Sequence, residues 1–164
     1  MEVLFTSDRT VRMADEIVDY LLGPRLWIPK ADYPDFGDWV QKVWAQLKRE
    51  EKRALVGISA GRIIGAVVYQ RHRELPGALE VKNLTVRPDL QGRHVASFML
   101  RNAEVEGVRD FGVSEVLVDA KARNAAIRAF LCRNGYSVAG MLDLYGLRAG
   151  EDLLFRKSLS HRSR

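Results

Sequence analysis

Val81-Lys82-Asn83-Leu84-Thr85-Val86-Arg87-Pro88-Asp89-Leu90-Gln91-Gly92-Arg93-His94-Val95-Ala96 is the stretch on which the fold turns. An apolar strand ends at the Arg87-Pro88 turn, a short polar loop follows, and the chain runs straight into an amphipathic helix. Backbone N–H groups at the start of such a helix have no intrahelical partner, and the helix dipole adds partial positive charge there. That end can hold a phosphate or pyrophosphate. Arg87 and Arg93 are placed to add full charges. The residues alone mark an anion-binding candidate beside the reading of an ordinary strand, loop and helix.

Working outward, the periodicities predict a mixed chain. Glu2 to Thr6 reads as a strand, and Ser7 or Asp8 as the cap of a helix through Leu22, with Val11, Ala14, Ile17, Val18 and Leu21 at helical spacing. Trp27 to Gly37 reads as an irregular loop. Asp38 starts a second helix, with Trp39, Val43, Trp44 and Leu47 on one face. Ala54 to Ser59 and Arg62 to Gln70 flank Ala60-Gly61, a tight hairpin turn, and Gly77 to Arg87 is the next strand. A helix is predicted over Gln91 to Asp110, with Val95, Met99, Ala103 and Val108 inward. Then come a strand over Ser114 to Ala120, a helix over Asn124 to Asn134 ended by Gly135, and two closing strands, Tyr136 to Tyr145 and Asp152 to Leu159. Hairpins first and β-α-β-α-β later argue for an α/β (α+β) fold. Its central sheet is mixed and mostly antiparallel, with about seven strands, one parallel pair and helices on both faces.

The 164 residues suit one domain over 1–164, and 47% apolar content is enough for a core. No window reaches the roughly 18 uninterrupted apolar residues of a membrane span. The first residues lack the basic-then-apolar pattern of a signal peptide, so the cytoplasm is the default expectation. The single cysteine, Cys132, allows no intrachain disulfide and reads as core or half-buried in a short helix. A net charge of +5 admits an acidic ligand or partner without choosing one. The basic groups Lys48, Arg49, Lys52, Arg53 and Arg156, Lys157, His161, Arg162, Arg164 read as a solvated helix end and a frayed terminus, with nucleic acid as the disfavoured alternative. Other chemistry fails on spacing: His72, His94 and His161 are too scattered for a metal, and neither a G-x-S-x-G elbow nor a G-x-x-x-x-G-K-S/T loop is present. Gly57, Gly61 and Gly65 read as turn and packing glycines.

The stretch Val86 to Ala96 resembles the coenzyme A pyrophosphate loop of the GNAT acetyltransferase superfamily, Q/R-x-x-G-x-G/A after a V-x-P strand exit. Gln91 matches the first position and Ala96 the last, and His94 stands where glycine is usual. Asn124-Ala125-Ala126-Ile127-Arg128-Ala129-Phe130-Leu131-Cys132-Arg133-Asn134-Gly135-Tyr136 is similar to the family's N-x-x-A/S-x-x-x-Y-x-x-x-G-F/Y segment, one strand further on. Asp152 to Leu159 resembles its closing strand. The similarity covers Ala54 to Leu159 and is carried by both motifs at the expected separation.

The resemblance implies an N-acetyltransferase that uses acetyl-coenzyme A as cosubstrate, needs no metal, and joins the acetyl group to a primary amine in a ternary complex. It implies that Leu84, Thr85 and Val86 hold the pantetheine, and that Gln91, Gly92, Arg93, His94, Val95, Ala96 and Ser97 hold the pyrophosphate. Asn124 and Phe130 would lie along the pantetheine and thiol. Glu80 and Asp119 match positions at which members carry a general base. Glu80 is preferred because strand alternation puts it on one face with Leu84 and Val86. The family's tyrosine acid is Leu131 here. Tyr136 reads as a packed aromatic, and Tyr145 is the alternative donor. The acceptor, a small molecule or a protein, would be bound by Trp27 to Trp44 and the closing hairpin, where Trp27, Tyr33, Phe36 and Trp39 are candidate lining, although packing of the first two helices is the simpler use of those rings. Two alternatives stay open: an acetyltransferase of aminoacyl-tRNA or of a ribosomal protein, and a non-catalytic acyl-coenzyme A-binding regulatory domain. No membrane partner is expected, and the resemblance allows a homodimer.

Overall fold

A computed structural model describes residues 2–7, 10–23, 35–142 and 151–159. Among these, seven strands form one sheet: β1 (Leu4–Thr6), β2 (Arg53–Ser59), β3 (Arg62–Arg71), β4 (Ala78–Val86), β5 (Glu115–Lys121), β6 (Ser137–Leu142) and β7 (Asp152–Ser158). Their order is β1-β2-β3-β4-β5-β7-β6. β4 and β5 pair in parallel, Ala78 opposite Glu115 through Val81 opposite Val118. The pairs β1–β2, β2–β3, β5–β7 and β6–β7 are antiparallel. Four helices accompany the sheet: α1 (Ala14–Leu22), α2 (Phe36–Lys48), α3 (Val95–Phe111) and α4 (Ala125–Arg133). Packing groups the chain into two compact units, Met1–Gln70 with Asn83–Val105, and Arg71–Lys82 with Glu106–Arg164.

In the first unit, α1 and α2 press Ala14, Ile17, Leu21, Val43 and Leu47 onto Ala54 and Val56 of β2 and Ala66 and Val68 of β3. Each fully buried valine, leucine or isoleucine among these is worth about 1.5–3 kcal/mol over its exposed state. Trp44 departs from the expected inward face. It is 38% exposed, and its indole Nε1 donates to Asp15 at 2.8 Å. The start of α1 also differs from expectation. Helix begins at Ala14, because Thr10 is used otherwise: its hydroxyl donates to the Ser7 carbonyl at 2.9 Å and accepts from the Ala54 amide at 3.1 Å, pinning the entry segment to β2. Asp8 lies outside the described residues. Ala60 and Gly61 both have positive φ (47° and 73°), as a two-residue hairpin turn that follows the sheet's twist requires. Gly65 is a packing glycine, since a Cβ there would lie 2.7 Å from Met99 Sδ on α3.

In the second unit, β5 and β7 pair along their whole length. Val116, Phe155 and Leu131 are buried, and a Cβ on Gly107 of α3 would meet the Leu79 side chain at 2.7 Å. Tyr136 is buried, with the Lys157 ammonium over its ring, which accords with a packed aromatic. Cys132 is exposed, contrary to expectation, because the neighbouring Leu131 takes the inward position of α4. Of the basic residues expected to be solvated, Arg49 and Arg156 are exposed, pairing with Glu51 and Glu115, and Lys48 pairs with Asp15, whereas Lys52 is buried.

Candidate active site

The first unit carries the exit of β4 and the start of α3. Asn83 has a φ of 49°, left-handed for a non-glycine residue inside a strand. It interrupts the regular alternation that would set Glu80, Leu84 and Val86 on one face. Asn83 Oδ1 is buried with no hydrogen-bond partner. Leu84 and Thr85 are half-buried and Val86 is buried. The strand end is held by the Arg87 amide on the Ile64 carbonyl (3.0 Å), to which the Tyr20 hydroxyl also donates (3.2 Å). Burial pushes the Tyr20 phenol up, opposed by the neighbouring Thr85 hydroxyl and then by the Arg87 charge. Thr85 Oγ1 itself makes no bond of full hydrogen-bond geometry.

Pro88–Leu90 form one 3-10 turn, with Leu90 buried as its plug. Gln91 then ties the loop back, its Nε2 donating to the Val86 carbonyl at 3.1 Å. The helix starts at Val95, four residues later than expected, because the backbone at Gly92 and His94 is left-handed (φ 76° and 61°). An α-helix cannot pass through such residues. His94 is thus a loop residue and not a helical one. Arg93 between them is not left-handed. Turns of this alternating kind gather successive amides into a concavity suited to an anion. The first bond of the helix is Phe98 N–H to the His94 carbonyl (3.0 Å), so the Val95 and Ala96 amides lie ahead of the ladder. Gly92 faces open space, and Arg93 is exposed. Arg87 is spent differently from expectation: its guanidinium binds Asp89 through two bonds of 3.1 and 2.9 Å. The open amides, the glycine and the exposed arginine fit a phosphate-bearing cosubstrate.

The second unit carries the carboxylates. Lys82 Nζ lies 2.7 Å from Glu80 Oε1 and 3.0 Å from Asp119 Oδ1. All three side chains are between a fifth and a third exposed. Both expected bases are therefore brought together on one ammonium. Burial disfavours the charge on Lys82, but the fields of Asp119 and then Glu80 outweigh it, and the ammonium holds its proton above the ordinary lysine range. Sequence reasoning gave Lys82 no role. The signal was its spacing of two from Glu80, which puts both on one strand face. Asn124 caps α4, its Oδ1 accepting from the Ile127 amide at 3.1 Å, and Phe130 is half-buried. Leu131, in the tyrosine position, is fully buried and offers no donor. Tyr145, Trp27 and Tyr33 lie outside the described residues, as does the side chain of Phe36. Trp39 packs against the core of the first unit.

The chain belongs to the acetyltransferase (GNAT) family, whose model matches residues 15–136. No curated protein matches the sequence. Solved structures share the fold. The PaiA N-acetyltransferase from Thermoplasma acidophilum in complex with coenzyme A superposes with a TM-score of 0.71 at 15% identity, covering 96% of this chain and 99% of that one. An aminoglycoside 6'-N-acetyltransferase complexed with coenzyme A gives 0.73 at 15% identity over the full length of both chains. The ribosomal-protein-S5-alanine acetyltransferase from Vibrio fischeri gives 0.71 at 19% identity, covering 98% of this chain and 95% of that one. At these identities the likeness is one of fold. Among the described residues no helix is long and apolar enough to cross a membrane.

Proposed function

We propose that the protein transfers an acetyl group from acetyl-coenzyme A to a primary amine by direct attack in a ternary complex. The observation that carries the reading is the left-handed loop at Gly92 and His94, which leaves the Val95 and Ala96 amides ahead of the α3 ladder. In this reading the loop amides, Arg93 and the Gly92 opening take the pyrophosphate, and Leu84 to Val86, Asn124 and Phe130 take the pantetheine. Acetyl-coenzyme A supplies an acyl thioester. An amine arrives as its ammonium, and in this reading Glu80 or Asp119 removes the proton before attack. Leu131 cannot return a proton to the leaving thiolate, so that step falls to solvent or to Tyr145.

The acceptor is left to experiment. The solved relatives act on different amines, an aminoglycoside in one case and a ribosomal protein in another. A thiol-release screen with acetyl-coenzyme A over polyamines, aminoglycosides, amino acids, peptides and charged tRNA discriminates among them. Release with one amine class supports the reading. Tight coenzyme binding without release across the panel overturns it and favours a regulatory acyl-coenzyme A-binding domain, which the buried Leu131 would suit. With the acceptor found, Glu80→Gln should lower kcat by about 10²–10⁴ while leaving coenzyme affinity within a few-fold. Equal turnover at saturating substrate would remove Glu80 as the base and leave Asp119.

A further inference from the structure

In the first unit, Asn83 carries two costs at once. Its backbone is left-handed inside β4, with a φ of 49°, a conformation that residues other than glycine enter under strain. Asparagine is tolerated there because its short polar side chain can bond to the local backbone. Asn83 does not use that relief. Among the described residues its Oδ1 is buried and has no donor, so the oxygen has lost its water and gained nothing in return. The neighbouring structure does not call for the side chain. The exit of β4 is held by the Arg87 amide on the Ile64 carbonyl, and the Tyr20 hydroxyl bonds to that same carbonyl. Strain and an unmade bond on one residue of a strand mark a position kept for a ligand rather than for the fold.

Oδ1 can only accept, so the missing partner is a donor. An acyl thioester has no donor at its reacting end. The pantetheine has amide N–H groups, but the transfer reading gives those to Leu84 to Val86, Asn124 and Phe130. The incoming amine carries N–H groups both as its ammonium and after it has given up a proton. An uncharged amide oxygen accepts from either form. A carboxylate in its place would favour the ammonium and oppose loss of the proton. We infer that Asn83 is an acceptor-binding residue, whose Oδ1 takes an N–H of the primary amine and thereby fixes the direction of the nitrogen lone pair. This rests on the reading of transfer to an amine. Glycine would relax the backbone at this position; asparagine stands there for its amide oxygen.

The experiment uses the full chain and the amine that releases most thiol in the screen. Asn83→Gly removes the amide and relaxes the backbone. It should raise KM for that amine about tenfold or more and leave the calorimetric Kd for coenzyme A within about threefold. Its urea midpoint should be no lower than the parent's, since both costs are gone. Asn83→Asp keeps an acceptor oxygen and a residue that tolerates the left-handed region. Its KM should stay within about threefold of the parent's. An amine KM that Asn83→Gly does not move overturns the inference. A rise that Asn83→Asp shares in full does the same, because the oxygen is then not the contact. Coenzyme A bound about tenfold more weakly by Asn83→Gly, with KM unmoved, assigns the oxygen to the pantetheine instead. A urea midpoint well below the parent's would give Asn83 a structural role and sink the idea. No thiol release from the parent with any amine fails the transfer reading and takes this inference with it, whereas release with an unmoved KM fails the inference alone.

Discussion

At position 94 a histidine takes the backbone conformation that glycine adopts without strain. The family's loop has glycine there, and the φ of 61° gives the physical reason. Histidine is among the side chains that enter the left-handed region more often than most, whereas a β-branched residue there is an outlier. His94→Val should destabilise the fold by about 1–3 kcal/mol and weaken coenzyme A binding by an order of magnitude or more, because the amides that follow would be re-aimed. His94→Gly should retain binding and recover about 1 kcal/mol. Urea unfolding and calorimetric titration with coenzyme A check both. Unchanged affinity in His94→Val would separate the loop backbone from the ligand. Asn83 is the second such residue, and its effect is on the strand: it breaks the alternation by which Glu80 was matched to Leu84 and Val86.

At the scale of elements, the helix α3 is fitted to β3 through a missing side chain. A methyl on Gly65 would lie 2.7 Å from Met99 Sδ and 3.3 Å from the Thr85 carbonyl oxygen. Met99 is fully buried, so it can yield only by disturbing its neighbours. Gly65→Ala should cost about 1–3 kcal/mol, and adding Met99→Ala should cost less than the sum of the two single changes. Denaturant midpoints of the two single variants and the double variant test this, and strict additivity would contradict the packing. The elements themselves were legible because their signals are local. Alternation marked the strands, Ala60-Gly61 marked the hairpin, and Asn124 and Gly135 bracketed α4. What escaped depends on partners far along the chain. Thr10 gives its hydroxyl to β2 and delays α1, and Gly92 and His94 delay α3 by turning left-handed. The site was legible as a list of residue types. Its arrangement was not, because the parallel register that lets Lys82 reach Asp119 is a property of the sheet.

At the scale of the whole molecule, two groups tie stability to alkaline pH. Burial raises the Tyr20 phenol above its ordinary 10.0, so the folded state keeps a proton that the unfolded chain gives up. The carboxylates raise Lys82 above its ordinary 10.5 in the same sense, against the effect of burial. Both contributions are complete below those unfolded values and drain away as pH rises through the folded ones. Tm should therefore fall from about pH 10 upward, and Tyr20→Phe should make that fall shallower. A Tm that holds level from pH 9 to 12 would contradict both shifts. The order of the strands has a consequence of another kind. β7 lies between β5 and β6, yet translation delivers it after both. Until β7 docks, β5 and β6 present strand edges awaiting the same partner, and open edges invite foreign strands. Val138 and Met141 on β6 stay exposed even in the finished fold. Docking of Asp152–Ser158 closes both edges at once, so a chain in which this last strand is undocked is the form open to pairing with other chains.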